Sequence, residues 1–151
     1  MGLDMYLERT PKDAVEEVGY WRKANQVLRW IDTHVAPVEN CERIKLSLDN
    51  IRELRDDCQK VIDGSELVEG KVKTGVNYVD GKPIPHYTDC LVIANPELAE
   101  KIMPIEDGFF YGSTDYNEWY INQLKDTVKI CEEILDNPKS EDYDFNFIAW
   151  W

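Results

Sequence analysis

Apolar residues step by three and four through three separate stretches of this chain, and that spacing constrains its fold more than any other feature. In the second stretch Leu48, Ile51, Leu54, Cys58 and Ile62 follow Ser47, whose hydroxyl suits the orphan amides of a helix start, and Gly64 marks its end. In the third, Ile121, Leu124, Val128, Cys131 and Leu135 run to Asn137-Pro138 and predict the longest helix, with Lys125, Lys129 and Glu132 on its opposite face. The first stretch, Trp21, Ala24, Leu28, Ile31 and Val35, reads as a helix from Trp21 that ends before Pro37. Asn95-Pro96 predicts a short fourth helix to about Met103.

Strand patterns lie between and around these helices. Met1 to Leu7 reads as a short strand before the Thr10-Pro11 break. Tyr143, Phe145, Phe147, Ala149 and Trp151 share one side of a period-two pattern, and this final strand is expected to pair with the first or to cover the helices. Residues 70–93 read as a two-stranded excursion turning at Asp80-Gly81, while Gly108 to Ser113 suits a buried strand or a tight turn. The expectation is one α+β domain over residues 1–151. Three main helices and one short helix pack with a small, mostly antiparallel sheet built from the termini and the excursion.

Charge narrows the partners. Against 30 acidic residues stand 17 basic ones, a net charge of −13, and residues 97–151 hold 13 of the acids but only four of the bases. Direct contact with nucleic acid or an anionic membrane is disfavoured, and a basic protein surface is favoured. Five Trp, eight Tyr and four Phe set the chain apart from disordered acidic sequences. The four cysteines form no CxxC pair and no leader pattern precedes them, which fits free thiols in the cytosol. No apolar run approaches the roughly 20 residues that span a bilayer.

Sites of chemistry are sparse. There is no GxSxG elbow, and Gly108 to Ser113 lacks the lysine and spacer of a phosphate loop. A zinc site would have to draw on His34, Cys41, Cys58, His86 and Cys90, whose spacings are wider than structural zinc favours; Cys58, with Cys131, also fits core packing. Asp107, Asp115, Glu118 and Asp126 surround the aromatic turn and the start of the last helix, where acidic residues also suit the helix dipole. An oxygen-ligand metal site or acid-base chemistry would use this set. Tyr20, Trp21, Arg22, Lys23 and Arg29 form an aromatic and cationic island, suited to internal ion pairing with the acidic last third or to contact with an anion or partner.

Three motifs together, Met1-Gly-Leu-Asp-Met-Tyr-Leu7, Val18-Gly-Tyr-Trp-Arg-Lys-Ala-Asn25 and Asp107-Gly-Phe-Phe-Tyr-Gly-Ser-Thr-Asp-Tyr116, resemble a group of small phage and prophage proteins of unknown function. Cys41 and Cys58 match cysteine positions of that group, whereas Leu28 stands where its members tend to have histidine. The resemblance implies an accessory protein of a phage or mobile element, acting in the host cytosol. It further implies a non-catalytic inhibitor or adaptor whose carboxylates occupy basic surfaces made to hold phosphate, such as those of a CRISPR effector or another nucleic-acid enzyme. The partner-binding residues expected on this reading are Glu106, Asp107, Tyr111, Asp115, Tyr116, Glu118 and Trp119. A structural-zinc or other metal-dependent domain, an enzyme included, is the alternative.

Overall fold

The computed structural model describes residues 2–10, 15–106 and 115–151. In chain order its elements are β1 (Asp4–Thr10), β2 (Glu16–Arg22), α1 (Asn25–His34), β3 (Arg43–Leu46), α2 (Leu48–Gly64), β4 (Leu67–Val79), β5 (Lys82–Ile93), α3 (Glu97–Ile102), α4 (Glu118–Asp136) and β6 (Asp144–Trp150). This is an α+β fold with three main helices, one short helix and two small antiparallel sheets.

The larger sheet has the order β2-β1-β6-β3, so the first and last strands lie side by side at its centre. Met5 pairs with Trp21 on one side and with Ala149 on the other, and Leu7 faces Phe147, which in turn faces Ile44. Alternation turns these residues, with Phe145 and Leu46, onto a single buried face. Helices cover that face, and α2 packs along α4. Gly19 lets α4 come close to β2, because a Cβ there would sit 2.7 Å from Cγ2 of Ile130. Across the same contact, buried Trp21 donates from Nε1 to Oγ1 of Thr127 at 2.8 Å, and Thr127 donates to the Gln123 carbonyl at 2.7 Å.

Ser47 caps α2 as its sequence predicts. Its Oγ accepts from the Asn50 amide at 3.0 Å while Asn50 Oδ1 accepts from the Ser47 amide at 3.0 Å, a reciprocal box that satisfies two orphan donors. Helices α3 and α4 also fall where Asn95-Pro96 and the 121–135 stripe place them. The final strand pairs with the first, and Asn40 holds its end through two 3.0 Å bonds to the Trp151 backbone.

Two expectations need correction. Trp21 does not begin a helix; it lies on the inward face of β2, and Lys23, with φ of 56°, breaks the chain before α1 starts at Asn25. The three-residue step from Trp21 to Ala24 joins a strand to a helix cap and only imitates helical spacing. Residues 70–93, moreover, do not join the sheet of the termini. They form their own ribbon, β4 with β5, and the main sheet is completed by β2 and β3. The stretch Gly108 to Ser113 lies outside the described residues.

Thr127→Val keeps the side-chain shape but removes the acceptor of a buried indole N–H. An unsatisfied buried donor costs about 1–3 kcal/mol. Urea unfolding of this variant is therefore expected to show a lower midpoint at an unchanged m-value, whereas an unchanged midpoint would mean that the bond contributes nothing.

Candidate functional site

The residues that leave the short helix and those that lead into α4 are joined to one another by tyrosines. Tyr120, buried in the first turn of α4, donates to the Met103 carbonyl at 2.7 Å, and Tyr116 accepts from the Ile105 amide at 3.1 Å. Their rings meet edge-on at 5.1 Å. Asn117 caps α4 by accepting from the Tyr120 amide, and the backbone of Tyr116 accepts from Ile93 at 3.0 Å, anchoring this segment to the end of β5. Tyr116 thus serves the frame more than the surface.

The remaining partner-binding candidates are dispersed. Glu106 lies against α1, where its amide donates to Asn25 Oδ1 at 3.2 Å. Partial burial pushes the Glu106 carboxyl up, Asp32 adds to the rise and Arg29 opposes it. Trp119 is exposed and shares a cleft of about 280 Å³ with Asp115, Arg22, Lys23 and Gln123. Glu118 turns the other way, into a larger cleft of about 480 Å³ at the base of the ribbon, which Glu69, Lys71, Asp89, Cys90 and Leu91 also line. Adjacent helical residues are about 100° apart, so Glu118 and Trp119 are set on different faces. Asp107 and Tyr111 lie outside the described residues.

The five zinc candidates are not gathered either: among the described residues no three of them come together as a ligand group. Cys58 is buried within α2, and His86 is exposed on β5 opposite Gly75. Cys41 is exposed on a loop with φ of 65°, and its thiol donates to Asn40 Oδ1 at 3.3 Å. Burial pushes up the thiol of Cys90, with Glu118 adding to the rise, and burial pushes Cys131 up to about 12. Burial likewise raises Cys58 well above the ordinary thiol value. Cys58 and Cys131 are packing thiols of the core, whereas Cys90 belongs to the wall of the cleft beside Glu118. In the aromatic island, Trp21 is core while Tyr20 donates to Asp4 Oδ1 at 2.6 Å, and its ring lies tilted at 43° to that of Tyr6, 5.1 Å between centroids.

Sequence reasoning weighed only His86 and Cys90 of the ribbon, as metal ligands, and none of its apolar side chains. Its base is covered at Cys90 and Ile93, but from Gly75 to Asp89 every residue is exposed. Among them are Val76, Tyr78, Val79, Ile84 and Tyr87, with Tyr78 74% and Tyr87 59% exposed. At about 3.4 Å per residue, 13 residues of β4 extend roughly 40 Å. The ribbon carries three acidic and three basic residues, so the whole charge of −13 belongs to the rest of the chain. Pro83 and Pro85 remove two backbone donors from β5, which makes that strand a poor template for a further strand. What the ribbon offers is side chains. The signal for this lay in the sequence: Asp80-Gly81 flanked by Tyr78, Val79 and Ile84, with no third strand pattern to cover them.

Among the described residues no helix is long and apolar enough to cross a membrane. A thiol reagent added to native protein is expected to modify Cys41 rapidly, with Cys41→Ser abolishing that phase and the core thiols Cys58 and Cys131 reacting only on unfolding. Fast reaction of Cys58 or Cys131 would contradict the packing described. No protein-family model, no curated protein and no solved structure matches this chain, and its function rests on the residues described above.

Proposed function

We propose that this chain is a non-catalytic binding protein that grips a basic host protein, inserting the exposed ribbon into an apolar cleft while its acidic body meets the surrounding cations. The observation that carries this reading is the exposure of Tyr78, Val79, Ile84 and Tyr87 on a ribbon with no net charge. A two-stranded ribbon is marginal alone in water, and a soluble domain gains nothing from five exposed large apolar side chains at its end. Aromatic residues of this kind dominate binding energy when a partner buries them. A second copy is a poor occupant, since two bodies that each carry −13 repel.

Charge supplies the second half of the proposal. Carboxylates on the body steer the chain toward a cationic surface and exclude acidic ones. Proteins that hold nucleic acid display such surfaces, which agrees with the phage and prophage resemblance of the three sequence motifs. Within that context the proposed role is inhibitor or adaptor, and the proposed partner class is a nucleic-acid enzyme of the host, CRISPR effectors included.

Affinity capture from a bacterial host lysate, with the bound protein identified by mass spectrometry, tests the reading. Wild-type bait is expected to retain a basic protein at about 0.1 M salt and release it near 1 M, where the screening length falls from roughly 10 Å to 3 Å. The Tyr78→Ser/Tyr87→Ser bait, with an unaltered circular dichroism spectrum, is expected to lose that protein. Equal capture by both baits, or capture indifferent to salt, would contradict the proposal. So would a concentration-dependent dimer abolished by the double substitution.

A further inference from the structure

Where the end of α1 meets α2, His34, Glu53 and Asp57 bring one imidazole nitrogen and two carboxylates within 4.8 Å of one another. Glu53 and Asp57 are four residues apart and so share a face of α2. None of the three belongs to the exposed ribbon. We propose that these three side chains form a binding site for a divalent transition-metal ion of the zinc type.

The support comes from how the ligands are held. Trp30 is 1% exposed and touches two of the three. Its indole Nε1 donates to Asp57 Oδ2 at 2.8 Å, fixing the carboxylate. Its ring stacks on the imidazole of His34 at 4.5 Å between centroids and 8° between planes. The Trp30 carbonyl and the Thr33 hydroxyl each lie 3.0 Å from His34 Nδ1; a carbonyl can only accept, so the tautomer that uses the Trp30 contact carries its proton on Nδ1. In the neutral ring Nε2 then holds the free lone pair, and Nε2 is the atom that faces Asp57 Oδ2, at 4.0 Å. A backbone carbonyl behind one imidazole nitrogen, with the other nitrogen turned toward carboxylates, is the arrangement that orients histidine for a metal.

Geometry and charge agree. Ligand atoms about 2.1 Å from a tetrahedral ion lie roughly 3.4 Å apart, which rotation of the exposed Glu53 side chain can reach from the present spacing. Lys60, 3.8 Å from Asp57 Oδ1, offsets only one of the two carboxylate charges. One nitrogen and two oxygens suit zinc, whereas magnesium and calcium prefer oxygen alone. Three protein ligands leave a fourth position for water.

The test is calorimetric titration of the full chain with zinc, free of affinity-tag histidines and in a Cys41→Ser background that removes the exposed thiol. One equivalent is expected to bind, magnesium at equal concentration is expected not to compete, and Glu53→Gln and His34→Ala are each expected to weaken binding by more than about tenfold. Cobalt substituted for zinc is expected to give ligand-field bands without a thiolate charge-transfer band. Glu53 is exposed, so Glu53→Gln decides the matter even where His34→Ala disturbs the stack on Trp30. Absence of zinc binding, unchanged binding in Glu53→Gln, or binding that disappears with Cys41 would overturn the site.

Discussion

The antiparallel pairing of β1 with β6 is the constraint on which the rest of this structure depends. It joins the two ends of the chain at the centre of the sheet and aligns Met5, Leu7, Phe147 and Ala149 on one face. That face gives α4 its seat, with Trp21 and Thr127 joined across the contact and Gly19 leaving room for Ile130. Helix α4 in turn positions Tyr120 and, through its cap, Tyr116, and these anchor the sequence beside β5. The base of the ribbon is held by that anchorage. Its outer part, from Gly75 to Asp89, is exposed throughout and paired strand to strand in its own ladder.

Two kinds of surface therefore coexist on one frame. Much of the acidity is distributed over exposed helix faces, where carboxylates pair with nearby cations such as Arg52 with Asp49 and Arg55 with Asp56. Exposed pairs of this type contribute little to stability. The ribbon differs in having apolar side chains and no net charge. A neutral, aromatic ribbon on an acidic body is a division of labour suited to binding, since one part supplies buried area and the other long-range attraction.

Much of the fold was legible because long helices repeat their signal. The stripes at Leu48 to Ile62 and Ile121 to Leu135 run for several turns, and Ser47 and Asn95-Pro96 mark where helices begin. Short strands give no such redundancy. In β3 only Ile44 and Leu46 turn inward, a pattern too brief to separate from loop, and the inward Trp21 of β2 fell in step with the helix that follows. Site residues were harder. The segment Glu106 to Trp119 stood out in sequence for carboxylates set among aromatics, and the start of α4 directs Glu118 and Trp119 into separate clefts. The spacing of Glu53 and Asp57 was visible, but nothing in the sequence joined them to His34, which only the crossing of α1 and α2 provides.

Amide hydrogen exchange of the chain, free and bound to its captured partner, bears most directly on the claim that the ribbon is the grip. Residues 75–89 are expected to exchange quickly in the free protein and to gain the largest protection in the complex, with β1 and β6 unchanged. Protection confined to other elements, with the ribbon exchanging as fast as before, would contradict it.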